Sequence, residues 1–163
     1  MRKSKVAVII GSDSDLPTME EALKVFRDFG VSYELKILSA HRSPGLVHSF
    51  AKSADRRGIK VIIAGAGGAA HLAGVIASLT RLPIIGVPME TKNLKGIDSL
   101  LSTVQMPSGV PVATMAIGKA GAKNAAIFAL QILGIADSKI AKKLAGFKKY
   151  LATQVAAKNA KRR

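Results

Sequence analysis

The chain has 163 residues, is 48% hydrophobic and only 4% aromatic, contains no cysteine, and carries a formal charge of +15. That length fits one domain able to bury a core without covalent staples. The missing cysteines exclude disulfides, thiol nucleophiles and thiolate metal sites, and the scarce aromatics argue against nucleic acid as the main partner.

A basic body of this kind steers phosphorylated anions toward itself. The charge is uneven: residues 137–163 hold nine Lys/Arg and one Asp, so a basic C-terminal helical tail (137–163) is expected behind an α/β catalytic domain (1–136). The apolar run behind the basic N-terminus, Val6–Ile10, is too short for a signal-peptide core. No segment reaches the ~20 apolar residues of a membrane span. The expectation is a soluble, cytoplasmic protein with no membrane partner.

Val6–Ile10 is a continuous apolar run ended by Gly11, which reads as a central parallel strand. A turn follows, with Asp15 as N-cap of a helix to Phe29 whose face is Ala22, Val25, Phe26 and Phe29. Tyr33–Leu38 alternates and predicts a less buried strand. Ser39-Ala40-His41-Arg42 lies at its end, and Ser43-Pro44 opens a helix to about Arg57. A third strand over 60–64 runs into Gly65-Ala66-Gly67-Gly68-Ala69-Ala70-His71-Leu72 and an apolar helix to Leu79. Further strands are predicted at 82–88 and 112–117, and helices at 96–104, 122–133 and 138–158. The 122–133 helix is apolar nearly all round and asks for burial on every side, which points to a subunit interface. Ile140, Leu144, Phe147 and Leu151 form the stripe of the terminal helix.

Five strand–helix alternations predict a doubly wound parallel sheet, a three-layer αβα sandwich of flavodoxin-like order 2-1-3-4-5 with a C-terminal helical extension. In that order the loops at 11–15, 39–42 and 65–71 open side by side, at the edge where such sheets bind ligands. His41 can both give and take a proton near neutrality, and Arg42 is a forked donor for phosphate or carboxylate. Ser12 and the turn N–H groups suit a phosphate, while Asp13 or Asp15 suits sugar hydroxyls. The glycines let backbone approach a ligand. His71, at a helix start, reads as a hydrogen-bonding group, and His48, inside a helix, as structural. The chain lacks a P-loop, a dinucleotide fingerprint after its first strand and a Gly-x-Ser-x-Gly turn. Three scattered histidines without paired carboxylates do not suggest a metal site.

Taken together, Gly11-Ser12-x-Ser14-Asp15, Ser39-Ala40-His41-Arg42, Ala64–Leu72 and Gln105-Met106-Pro107 resemble the class I PurE family, the N5-carboxyaminoimidazole ribonucleotide mutases of purine biosynthesis. The resemblance runs from Val6 to Gly134. It implies an isomerase that moves a carboxylate from an exocyclic nitrogen to a ring carbon of a phosphorylated ribonucleotide. It implies His41 as acid/base and Ser12, Asp15 and Arg42 as nucleotide-binding groups. Ser39, Ala40, Gly67, Gly68, Ala69, His71 and Leu72 complete the implied substrate pocket, with no cofactor or metal and a homo-octameric assembly. Ala73 departs from the proline usual after His-Leu. The alternatives are a class II carboxylase using free carbon dioxide, and a non-catalytic nucleotide-binding protein on the same fold.

Overall fold

The structure is a computed structural model describing residues 4–160. Its five strands are β1 (Val6–Ile10), β2 (Tyr33–Ile37), β3 (Val61–Ala66), β4 (Ile84–Pro88) and β5 (Ala113–Thr114). Six α-helices accompany them: α1 (Leu16–Phe29), α2 (Pro44–Ala54), α3 (Leu72–Leu79), α4 (Ile97–Val104), α5 (Gly118–Gly134) and α6 (Ser138–Ala160). All strands are parallel, in the order β2-β1-β3-β4-β5, with helices on both sides. Contacts group the chain into two units, one reaching to Ala129 and the other beginning at Leu130.

The first unit contains the sheet. Every residue of β1 has zero exposure, which a strand reaches only when both its faces and both its edges are covered. Alternation divides the work. Ala7 and Ile9 of β1, with Ile62 and Ala64 of β3, pack beneath Val47, Phe50 and Ala51 of α2 and Leu72, Ala73 and Ile76 of α3. Fully buried Val6, Val8 and Ile10 point to the opposite layer. At the sheet edge β2 is only half-buried to exposed, as its alternation predicts.

Several boundaries differ from expectation, three of them with a clear cause. β3 continues to Ala66, because Gly65 and Ala66 remain paired with Val87 and Pro88 of β4. β5 shrinks to two residues, since only Ala113 and Thr114 find partners, Ile85 and Gly86; Pro111, just before, has no N–H to offer a ladder. α5 begins at Gly118 and absorbs the predicted turn. It buries Ala122, Ala125, Ala126, Ala129, Leu130 and Leu133, while Phe128 is 36% exposed, so part of its apolar girth is uncovered in the single chain. Phe29 of α1 is only half-buried.

In the second unit, the Asp137 carboxylate accepts the N–H groups of Lys139 (3.2 Å) and Ile140 (3.4 Å), capping the start of α6. Of the predicted stripe, Ile140 and Leu144 are buried, Phe147 is half-buried, and Leu151 is 47% exposed. Among the described residues no helix is long and apolar enough to cross a membrane.

Gly86 tests the packing of the central layer. A Cβ there would lie 2.3 Å from Thr103 Cγ2 and 3.0 Å from Val112 Cγ1. Thr103 sits on α4 with a stiff branched side chain, so neither group yields easily. Gly86→Ala should cost about 1–3 kcal/mol, read as a lowered urea midpoint with the slope unchanged.

Candidate active site

Three cross-strand bonds carry the ladder past the strand ends. Leu38 N–H donates to Ile10 O (2.9 Å), Gly11 N–H to Gly65 O (3.0 Å) and Met89 N–H to Ala66 O (2.9 Å). Four loops therefore leave the sheet along one line. They surround a cavity of about 450 Å³ lined by Gly11, Ser12, Ser14, Asp15, Ser39, Ala40, His41, Arg42, Ala66, Gly67, Ala69, His71, Leu72, Met89 and Glu90.

On the β1 loop the residues after Gly11 form a single 3-10 turn, Asp13–Asp15, capped by Ser12. Asp15 was expected to cap α1. Its side chain makes no such bond. It reaches back instead and accepts the Ser12 N–H at 3.1 Å, closing a capping box on the turn before the helix. Partial burial raises the Asp15 pKa above the usual carboxylate range, against the opposing pull of the Ser12 and Gly11 N–H groups. Exposed Asp13 is lowered, chiefly by the hydroxyl of Ser12 (2.9 Å) and the N–H of Ser14 (3.1 Å).

On the β2 loop, Ser43 likewise spends its hydroxyl elsewhere than on α2. It accepts the Ser39 N–H and donates to Ser39 O, both at 3.0 Å. Ser39 Oγ in turn accepts the Arg42 N–H at 3.1 Å. Arg42 folds back toward β1 and donates to Gly11 O at 3.0 Å. This small network presents His41 and Arg42 to the cavity together.

The glycine-rich turn is braced from behind. Gly68 N–H donates to Ser99 Oγ (2.9 Å), and Ser102 Oγ donates to Gly68 O (3.3 Å), both hydroxyls coming from α4. Gly68 has φ of +68°, a left-handed conformation that favours glycine. It does not line the cavity with its neighbours Gly67 and Ala69. A Cβ on Gly67 would lie 3.2 Å from Met89 Cβ, so that glycine lets the turn pack against the β4 loop. The N–H groups of Ala70 and His71 go to Gly68 O and Ala69 O, both at 2.8 Å. With three of its donors used internally, this turn offers an anion less than its glycines suggest.

His41 and His71 meet across the cavity, Nε2 to Nδ1 at 2.9 Å, their rings nearly perpendicular with centroids 5.0 Å apart. The sequence puts these residues thirty positions apart and does not pair them. His48 is exposed on α2 and outside the cavity wall. Met89 and Glu90 are the residues that sequence reasoning missed. They follow β4, which pairs with β3, so the predicted strand order already placed their loop on this edge. Among the described residues no group of three or more His, Cys, Asp or Glu could hold a metal ion.

The raised Asp15 has a measurable consequence. A carboxyl whose folded pKa exceeds its unfolded value makes the native state bind more protons, so stability falls as pH rises between the two values. Asp15→Asn keeps an acceptor for Ser12 N–H and removes the titration. Its melting temperature should be flatter than the parent's from the ordinary carboxylate range upward, in parallel thermal scans against pH.

Residues 5–154 match the family model described as AIR carboxylase. Proteins named N5-carboxyaminoimidazole ribonucleotide mutase are close in sequence. The one from Pyrococcus abyssi is 61% identical over 146 residues, covering 90% of this chain and 81% of that one. The one from Thermotoga maritima is 55% identical over 151 residues, covering 93% and 87%. A crystal structure of Treponema denticola PurE superposes with a TM-score of 0.85 at 28% identity, covering 96% of both chains. The motifs that line this cavity and the extent of these matches agree: the chain belongs to the AIR carboxylase family.

Proposed function

We propose that the chain is an N5-carboxyaminoimidazole ribonucleotide mutase of purine biosynthesis. The observation that carries this reading is a titratable imidazole, His41, on the wall of a cavity that also holds Ser12, Asp15 and Arg42, in a chain 55–61% identical to proteins of that name. The substrate is a phosphorylated ribonucleotide and the reaction an isomerisation.

Arg42, a forked cation, takes the phosphate, with Ser12 and Ser14 beside it on the cavity wall. Asp15 takes the ribose hydroxyls. Ser39 positions Arg42 through its hydroxyl. Ala40, Ala69 and Leu72 supply apolar wall, and Gly67 and Gly68 shape the turn that closes it.

The chemistry runs in two halves. The bond between the exocyclic nitrogen and its carboxyl carbon breaks, carbon dioxide leaves, and the electron pair stays on nitrogen, which His41 protonates. The ring carbon then attacks the trapped carbon dioxide, and His41 removes the proton displaced from that carbon. The imidazole ends as it began, so no proton is consumed. While His41 is protonated, its Nε2–H can donate to His71 Nδ1, and that contact holds the ring in place. Small walls at Gly67 and Ala69 keep the gas within reach of the ring, which makes recapture effectively unimolecular.

The α/β catalytic domain is assigned to 1–136 and the basic helical tail to 137–163, in a cytoplasmic homo-octamer. Support for self-association comes from α4 and its approach, where Leu94, Ile97, Leu101 and Val104 are 46–58% exposed along one stripe. Leu101→Glu should yield a smaller species in sedimentation with an unchanged helical circular dichroism spectrum. An unchanged assembly would place the contact elsewhere.

The function itself is tested by supplying each ribonucleotide alone and following the ring-carboxylated product. The mutase converts the N-carboxylated substrate without added bicarbonate. Turnover of only the uncarboxylated ribonucleotide with bicarbonate would mark a class II carboxylase instead. His41→Asn should lower turnover by ~10²–10⁴-fold while ligand still binds; an unaltered rate rejects the proton-shuttle role.

A further inference from the structure

Glu90 is an exposed carboxylate on the cavity wall that no step above uses. The cavity lining already includes one other carboxylate, Asp15, and a single arginine, Arg42. Asp15 is engaged with the Ser12 N–H, whereas Glu90 has no hydrogen-bond or ion-pair partner among the described residues.

Its backbone is nevertheless held. The preceding N–H, of Met89, is tied to Ala66 O at 2.9 Å. The following residue, Thr91, donates from Oγ1 to Asp98 Oδ1 at 2.7 Å and accepts the Gly96 N–H at 3.1 Å. Gly96 has φ of +90° and sits so close that a Cβ would lie 3.0 Å from Met89 O and 3.3 Å from Glu90 Cα. The backbone carrying Glu90 is thus pinned on both sides, and its unpaired carboxylate belongs to a residue on the wall of a ligand cavity.

Strand order says which end of the ligand it meets. Arg42 follows β2 and Glu90 follows β4, with β1 and β3 between them. The Arg42 guanidinium reaches Gly11 O, just after β1, so two interstrand steps, about 10 Å, separate it from the start of the Glu90 loop. A nucleotide with its phosphate at the Arg42 end therefore lays its base toward Glu90, against the His41 imidazole. A carboxylate accepts hydrogen bonds and cannot donate, so the group it meets must carry N–H. On this base that group is the exocyclic nitrogen.

We propose that Glu90 is a substrate-positioning residue whose carboxylate accepts a hydrogen bond from the exocyclic N–H of the ribonucleotide. It orients the nitrogen that loses the carboxyl group and keeps the electron pair of the broken bond, and it selects ligands that carry that nitrogen. This inference rests on the mutase reading.

The experiment compares the affinity of aminoimidazole ribonucleotide with that of the desamino imidazole ribonucleotide, in the parent, Glu90→Ala and Glu90→Gln proteins. The parent should prefer the amino ligand on the order of 10- to 100-fold, the worth of a hydrogen bond to a charged acceptor. Glu90→Ala should erase that preference while binding the desamino ligand as the parent does. Glu90→Gln, which keeps the shape and one acceptor oxygen, should retain part of it and serves if the alanine variant misfolds. Equal preference in the parent and both variants overturns the proposal, as does a parent with none. A parent that discriminates but does not isomerise the N-carboxylated substrate refutes the mutase reading and leaves the Glu90 contact standing.

Discussion

Parallel pairing of β1 between β2 and β3 is the constraint on which the site depends. It extends past the strands themselves through the bonds from Leu38 to Ile10 and Gly11 to Gly65, and the neighbouring β3–β4 pairing does the same through Met89 to Ala66. Each bond fixes the last backbone unit before a functional loop. Ser39, Ser12, Gly67 and Glu90 then begin from known positions, a strand spacing apart, on a base whose central strand is fully buried. Catalytic groups on loops gain precision only when the scaffold beneath them is rigid in this way.

Serine hydroxyls and short acidic side chains lock the loops themselves. Ser12 with Asp15, Ser39 with Ser43, and Ser99 with Gly68 each join residues across a turn or between a turn and a helix. Ser99 is fully buried, and its hydroxyl oxygen accepts the Gly68 N–H. Such bonds are individually modest. Their importance lies in direction: they turn the Gly68 N–H inward and leave the imidazoles, Arg42 and the carboxylates on the cavity wall.

The site is electrostatically economical. Arg42 is the one arginine on its wall, two carboxylates share that wall, and two imidazoles lie within hydrogen-bonding reach of each other. Burial raises the Asp15 pKa while Asp13, one turn position away in solvent, is lowered. The same residue type is thus driven in opposite directions by its surroundings.

Much of this was legible in the chain itself. The apolar runs at 6–10 and within 60–64 read as central strands, because they are buried on both faces and too short for a buried helix. Alternation in 33–37 marked an edge. Ser12, Asp15, His41, Arg42 and His71 stood on βα loops, where strand order brings them to one edge. Asp15 and Ser43 stand at the N-cap positions before α1 and α2, but their side chains bond elsewhere, because a side chain chooses among backbone donors that only the folded turn presents. The short β5, the early start of α5, the meeting of His41 with His71, and the arrival of Met89 and Glu90 at the cavity were decided by tertiary structure. Each depends on distances between segments far apart in sequence, and local propensity contains no record of those distances.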